Sequence, residues 1–429
     1  MIAAGLQAAD PYHAILRVVS RKGHSLRVGR RTFDLARYDR VIAVGAGKAS
    51  ARMAQALEQV LGPRLEGGLI VVKTGHRLRT DRVTVVEAGH PIPDDAGLQA
   101  AEQLRVLIRD LTSRDLLFVL LSGGASSLLP APVPGVTLAN KQRTTRLLLR
   151  SGATIQEMNA VRKHLSLLKG GRLAASTKAT IATLILSDVI GDDLGSIGSG
   201  PTASDPTTFA DAIGILRRYR VWRGVPAAVR QHLLQGQKGA APETLKPGSR
   251  LLHRVQHEII GNNHRMLEAV TNVAREAGLH TALISTPLTG EARNVAKQFA
   301  RLARPIATGR GVLRRPACVV AGGEPTVRVT GRGIGGRAQE FAAAAAFDIA
   351  GFHNVWLVAM GSDGTDGPTD VAGAVVTGET VARAGKLGVN LRSALKRHDT
   401  YSALNLLGCH IHTGPTGTNV NDLYLLLIL

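Results

Sequence analysis

Five short, continuously apolar runs constrain this chain more than anything else in it: RVIAVGAG, GGLIVVKTG, RVTVVEAGH, DLLFVLLSGG and TIATLILSD. Each is bounded by Gly, Ser, Asp or His, and none alternates apolar with polar residues. A strand with one face in water alternates; a strand covered on both faces does not. Segments of helical character, KASARMAQALEQVL and DDAGLQAAEQLRVLIRDL, lie between the runs. Buried strands alternating with helices predict a doubly wound α/β domain on a parallel sheet.

Around QHLLQGQKGAAPETLKPGSR the apolar rhythm gives way to Gly, Pro and polar residues. Such a stretch predicts a boundary within 235–250, with an N-terminal domain over 1–240 and a C-terminal α/β region over 250–429. In that second region HEIIGNN, HTALISTP, PACVVAGGE, NVWLVAMGSDG, AGAVVTG and NDLYLLLIL read as strands. HRMLEAVTNVAREAG and RAQEFAAAAAFDIAG read as helices. No repeat of fixed period is present.

The 429 residues are 44% hydrophobic, which is a globular composition and excludes a disordered chain. The formal net charge is +21 and aromatic residues make up only 3%. Positive charge favours anionic partners. It is scattered, as in RVGRRTFDLARYDR, and the few aromatics argue against a nucleic-acid binder that stacks bases. Cys318 and Cys409 have no metal-ligand spacing and read as buried thiols. The N-terminus lacks a basic segment followed by a long apolar core, and no apolar stretch is long enough to span a bilayer. The expectation is a cytoplasmic protein without membrane or nucleic-acid partners.

Ligands of open α/β sheets bind beyond the carboxyl ends of the strands, and those ends carry the chemistry here. VIAVGAGKAS places Gly45, Gly47 and Lys48 after the first run. It is not a Walker A loop, because Ile42 and Ala49 occupy constrained positions, and it half meets the dinucleotide fingerprint, with Ser50 where the third glycine belongs. LLSGGASSLLPAP offers Ser122, Gly123, Gly124, Ser126 and Ser127, a turn suited to a phosphate or carboxylate, or simply a capped strand–helix turn. In MNAVRKHLSLLKGGRLA, Arg162, Lys163, Lys169 and Arg172 are expected mostly to face solvent, with one or two reaching an anion. In ILSDVIGDDLGSIGSGPT, Asp188 is the carboxylate suited to acid–base or metal work, while Asp192 and Asp193 suit a turn. The C-terminal region adds Glu324 in AGGEPTV, Arg337 after Gly335 and Gly336, and Asp363, Asp366 and Asp370 in GSDGTDGPTD. Thr413, Thr416, Thr418, Asn419 and Asn421 precede the last run. A Gly-Gly-Arg helix start suits one phosphate.

Eight of these stretches in order, VGAGKAS, LLSGGASSLLPAP, MNAVRKHLSLLKGGRLA, LILSDVIGDDLGSIGSGPT, AGGEPTV, GGRAQEF, GSDGTDGPTD and TGPTGTNVND, resemble the glycerate 2-kinases whose C-terminal half is the MOFRL domain. The resemblance implies two α/β domains with a cleft between them. The first would be Rossmann-like, and the second a smaller mixed-sheet domain with its MOFRL core at about 315–425. It implies ATP-dependent phosphorylation of D-glycerate at the 2-hydroxyl, with Mg²⁺ or another divalent cation, giving 2-phosphoglycerate. Carried over residue by residue, Lys48, Asp188 and Arg337 are the catalytic candidates. Lys48, Ser122, Gly123, Gly124, Ser126, Glu324 and Arg337 are the substrate-binding candidates. Gly45, Gly47, Gly335, Gly336, Asp363 and Asn419 fall in nucleotide or phosphate loops, and Asp188 is the candidate metal ligand. Ala338 departs from the Asn common in the family's GGRNQE, which puts substrate affinity in question. The resemblance leaves homodimerisation open. Competing readings are an NAD(P)H-dependent hydroxypyruvate reductase, a label some of the family have carried, and a nucleic-acid-binding protein.

Overall fold

The computed structural model describes residues 1–429, which form two compact units: Pro11–Ile260, and Met1–Asp10 with Gly261–Leu429. The first unit opens with a small antiparallel sheet of β1 (Val19–Lys22), β2 (Ser25–Val28) and β3 (Arg31–Asp34). Its strands are short and charged, and they were not anticipated from RVGRRTFDLARYDR. The five apolar runs then become β4 (Arg40–Ala46), β5 (Gly67–Lys73), β6 (Val83–Ala88), β7 (Asp115–Leu121) and β8 (Thr180–Leu186), and β9 (Val255–Gly261) follows. The sheet runs β6-β5-β4-β7-β8-β9, and every pairing among β4 to β8 is parallel. Counted within the sheet this is the 3-2-1-4-5-6 order of dinucleotide-type doubly wound sheets. The order reverses between β4 and β7, so the crevice lies beyond those two strand ends.

Burial explains the uninterrupted apolar pattern. All seven residues of β7 are buried, as are six of seven in both β4 and β8. A lobe of four helices, Leu138–Ser151, Ile155–His164, Phe209–Arg218 and Ala227–Gln237, has its own core around Phe209, Leu216, Val229 and Leu233. Capping boxes start two of these helices, Thr154 with Glu157 and Thr208 with Asp211.

The expected boundary at 235–250 is corrected. Leu245 N–H donates to the Gly170 carbonyl at 2.9 Å, its own carbonyl accepts from Asp205 N–H at 2.7 Å, and Arg172 bonds the Pro242 carbonyl at 2.7 Å. This Gly- and Pro-rich stretch is packed into the first unit by its backbone polar groups. The strand in HEIIGNN is β9, at the edge of the first sheet, and the first helix, Ile2–Ala8, belongs to the second unit.

The second unit holds β10 (His280–Leu283), β11 (Ala317–Gly323), β12 (Val355–Gly361), β13 (Gly373–Thr377), β14 (His410–Ile411) and β15 (Asp422–Ile428), in the order β10-β11-β15-β12-β13-β14. The sheet is mixed: β10 and β11 are parallel, and β15 runs antiparallel between β11 and β12. Helix Arg337–Asp348 is buried from Ala338 to Ala346, which explains its alanine run. Phe299, Phe341 and Tyr424 anchor this core. No helix in the molecule is long and apolar enough to cross a membrane.

Candidate functional site

In the first unit the chemistry collects at the reversal of strand order. The backbone turn after β4 is docked on the turn after β7. Lys48 N–H donates to the Gly123 carbonyl at 2.8 Å and Ala49 N–H to Ser122 Oγ at 3.0 Å, while Ser50 Oγ lies 3.1 Å from Ser122 Oγ. Gly47 N–H goes to the Val71 carbonyl at 3.0 Å and Ser50 N–H to the Gly47 carbonyl at 3.2 Å. These amides are therefore spent inside the protein and do not form a phosphate cradle. Gly45 and Gly47 serve close packing instead. A Cβ at Gly45 would collide with the Leu120 carbonyl, and one at Gly47, where φ is +141°, with Ser122. That corrects their assignment to a phosphate loop and leaves the Lys48 side chain as the turn's chemical group. His76 Nδ1 lies 3.1 Å from the Lys48 carbonyl. His90, after β6, is pushed down to about 4 by burial and by the nearby charges of Lys48, Lys73 and His76, so it is neutral at pH 7.

The β7 turn connects to a buried polar network. Ser126 Oγ is 2.7 Å from Ser199 Oγ, whose hydroxyl reaches Asn159 Oδ1 at 3.2 Å. Lys169 Nζ donates to the Ser126 carbonyl at 2.7 Å and sits 3.3 Å from Ser126 Oγ. Gly198, Ser199 and Gly200 all have positive φ, near 60°, a costly backbone for Ser199 that the network holds in place. Asp188 follows β8 and is half-buried. Asp193 is a turn residue, accepting from Gly195 N–H at 3.2 Å and Ser196 Oγ at 2.6 Å.

The expectation that the 158–174 cations mostly face solvent is overturned. Lys163, Lys169 and Arg172 are buried, at 6%, 3% and 9% exposure. Lys163 pairs with buried Asp205 at 3.3 Å, and Arg172 bonds the carbonyls of Ser166 and Pro242, so these two brace the fold. Lys169 bonds only neutral groups. The local pattern gave no warning of this, because the burial comes from distant segments: the helix Ile155–His164 packs in the helical lobe, and Arg172 reaches the Pro242 carbonyl.

In the second unit, the ends of β11 and β12 and the start of β15 share one edge, since Asp422 is in register with both Gly323 and Gly361. Arg337 opens its helix there. Its Nε and Nη2 clasp Asp422 at 2.8 and 2.9 Å, and Nη1 reaches Glu324 Oε1 at 2.7 Å. Asn421, itself at positive φ, donates to Glu324 Oε2 at 3.2 Å, and Tyr424 donates to Asp422 Oδ2 at 2.8 Å. Burial raises the Asp422 carboxyl to about 7 against the pull of Arg337 and Tyr424. Burial works against the charge on Arg337, and Asp422 with Glu324 outweighs it, holding the guanidinium above its ordinary value. Asp422 was missed by sequence reasoning. Its signal was a carboxylate directly before a wholly apolar terminal strand.

Asp366 occupies the start of the Arg337 helix. Ala338 N–H and Gln339 N–H donate to its two oxygens at 3.0 and 2.8 Å. A Cβ at Gly336 would collide with Asp366, and one at Gly335 with Thr400. Gly335 and Gly336 therefore admit a capping carboxylate rather than a phosphate, a correction imposed by the cap. The Ala338 methyl is buried in the core. Asp363 receives Thr365 N–H at 3.1 Å, Asp370 receives the Tyr401 hydroxyl at 2.9 Å, and Asn419 Oδ1 receives Asn421 N–H at 3.4 Å. These are turn-stabilising bonds. No group of three or more His, Cys, Asp or Glu side chains that could hold a metal ion is present in either unit. Cys318 and Cys409 are buried free thiols.

Comparison with known proteins agrees with this arrangement. A family model described only as a domain of unknown function, DUF4147, matches residues 1–234, and the MOFRL family model matches residues 317–422. The chain is 39% identical to the glycerate 2-kinase of Pyrococcus horikoshii, over 100% of this chain and 96% of that protein. It is 42% identical to an Agrobacterium vitis protein provisionally named a hydroxypyruvate reductase, over 91% of this chain and 99% of the relative. The crystal structure of Thermotoga maritima glycerate kinase superposes with a TM-score of 0.88 at 38% identity, covering 100% of this chain and 97% of that one.

Proposed function

This chain belongs to the glycerate kinase family with a C-terminal MOFRL domain, and from that membership and the two cation-bearing sheet edges we propose that it transfers the γ-phosphoryl of ATP to the 2-hydroxyl of D-glycerate, giving 2-phosphoglycerate in the cytoplasm. The observation that carries this reading is Lys48 at the point where strand order reverses, docked on the Ser122–Gly124 turn after β7, with Asp188 following the next strand, β8. Phosphoryl transfer asks the protein mainly for positioning and for positive charge on the oxygens of the migrating group.

In this reading Lys48 neutralises the transferred phosphoryl. Ser122, Gly123, Gly124 and Ser126 position it, and Asp188 takes the proton of the 2-hydroxyl. Arg337, fixed by Asp422 and Glu324, presents its remaining N–H groups to the glycerate carboxylate. Mg²⁺ would enter on the nucleotide, since no group of three or more His, Cys, Asp or Glu side chains is present to hold it; Asp188 would hold it as the alternative to taking the hydroxyl proton, and the ion would offset phosphate charge.

The reductase reading is less well supported. The glycine turn that would cradle a dinucleotide pyrophosphate has its amides tied to the β7 turn, and β5 ends in Lys73 rather than a carboxylate for the ribose. The test is to supply purified protein with ATP, Mg²⁺ and D-glycerate and to couple product to enolase with no mutase present. Formation of phosphoenolpyruvate is expected, because enolase consumes only the 2-phosphate. No product from folded protein, with NADH oxidised on adding hydroxypyruvate, would reverse the assignment.

A further inference from the structure

A cavity of about 520 Å³ lies wholly within the first unit, beside the β7 turn. Four cations line it, Lys141, Arg146, Arg162 and Lys169, and no carboxylate does. Lys141 is only 9% exposed, and its Nζ is buried without a hydrogen-bond partner. Lys169 Nζ bonds only the neutral oxygens of Ser126 and Gly198. Burial lowers the Lys141 ammonium to about 7 with repulsion from Arg162 added, and burial with repulsion from Lys141 and Arg162 lowers Lys169 as well. Buried cations with no counter-charge destabilise a fold, and their cost is offset only when an anion binds them.

Part of the lining is an apolar wall: Ile92 and Pro93 from the β6 turn, with Leu138 and Leu149 from the helix that carries Lys141. Ile92 and Leu149 are strongly exposed, at 64% and 58%. Glycerate is a small monoanion and would satisfy one cation, leaving the apolar wall bare. The cavity instead matches a ligand with several negative charges at one end and a flat apolar body at the other. Its volume lies within the ordinary range for cofactor-sized ligands, roughly 300–1,000 Å³. The cavity also adjoins the reaction centre. Gly124 and Ser126 line it, and a Cβ at Gly124 would meet the imidazole of His90, which senses the charge of Lys48.

We propose that this cavity is the nucleoside triphosphate site, with the phosphate chain held by Lys141, Arg162 and Lys169 and the base lying against Ile92, Leu138 and Leu149. The assignment rests on the kinase reading and adds to it the place and orientation of the donor. Lys141 is a ligand-binding residue whose charge is tolerated in the free protein because the nucleotide needs it. Its removal should weaken binding and stabilise the empty protein together, a pairing that a merely structural lysine would not give.

Calorimetric titration with the non-hydrolysable analogue AMP-PNP, with inorganic tripolyphosphate and with D-glycerate tests this on the full chain. For Lys141→Met, AMP-PNP and tripolyphosphate are expected to bind roughly tenfold or more weakly, as for loss of a charge-assisted contact. D-glycerate affinity should hold, the ligand-free melting temperature should rise, and Lys141→Arg should recover most of the nucleotide affinity. Unchanged AMP-PNP binding in Lys141→Met, or a loss confined to D-glycerate, overturns the site. If Lys141→Met fails to fold, the partly exposed Arg162→Gln and Arg146→Gln pair carries the same comparison. Wild-type protein that makes no 2-phosphoglycerate yet binds AMP-PNP in a Lys141-dependent way supports the site and rejects the kinase reading. Turnover with AMP-PNP binding indifferent to Lys141 and Arg162 does the reverse.

Discussion

In the C-terminal unit the Arg337 guanidinium is met by two carboxylates, Asp422 and Glu324, whereas in the N-terminal unit Lys141, Arg162 and Lys169 line a cavity with none. Each set includes buried charge, Asp422 at 1% exposure in one and Lys141 and Lys169 at 9% and 3% in the other, so their differing surroundings reflect different tasks. A clasped guanidinium is fixed in direction before any substrate arrives, and the pairing meets its desolvation cost within the fold. Cations left without counter-charge hold that cost until a polyanion arrives, which makes the empty cavity selective for highly charged ligands. One arrangement gives geometry, the other gives affinity.

The sharpest way to break the contrast is Arg337→Met. It leaves Asp422, 1% exposed, without its cation, and should cost about 3 kcal/mol or more in urea unfolding. Lys141→Met should have the opposite sign. The Arg337→Met penalty should also grow with pH. A carboxyl whose folded pKa is raised above its unfolded value destabilises the fold progressively as pH rises through that interval, so the loss at pH 8 should exceed the loss at pH 6. Equal losses would mean that Asp422 is not the group left exposed to the change.

Lys48→Ala tests the third kind of cation, the one the proposed function assigns to the transferred phosphoryl. Turnover should fall on the order of a hundredfold to a thousandfold, with the melting temperature nearly unchanged, because the packing of that turn depends on its glycines and backbone amides. Activity that survives would remove Lys48 from the chemistry.

The smallest effect is expected at His90. Its folded pKa is about 4, below the ordinary value, so the stability it contributes is present above the unfolded pKa near 6.5 and is lost as pH falls toward 4. His90→Gln should flatten the acid limb of a melting-temperature profile over that window. An unaltered limb would show that burial and the charges of Lys48, Lys73 and His76 do not hold the imidazole neutral.

Much of the N-terminal sheet was legible because burial on both faces writes itself directly into composition: β4 to β8 are the five apolar runs. The C-terminal strands were equally visible, while their mixed directions came from the family resemblance alone, since an apolar run has no polarity of its own. Elements that lack an apolar run escaped. The charged strands β1 to β3, which pair with one another, are one case. The 235–250 stretch is another, since its carbonyls and amides meet Gly170, Arg172 and Asp205. Site residues divided in the same way. Lys48, Asp188, Glu324 and Arg337 sit at strand ends or helix starts, where local pattern marks them. Lys141 sits mid-helix in LANKQRTTRLLLRS, where an ordinary solvent-facing lysine would look the same.

The sequence by itself determined the alternation of buried strands and helices, and with it the strand ends where chemistry could sit. Only the tertiary structure decided which amides and charges were already spent. Gly45, Gly47, Gly335 and Gly336 looked like phosphate loops until Leu120, Ser122, Thr400 and Asp366 were found in the space beside them. Lysines that looked solvated proved buried. The physical reason is common to both: whether a donor or a charge is free depends on what stands opposite it, and here that residue is tens of positions away in the chain.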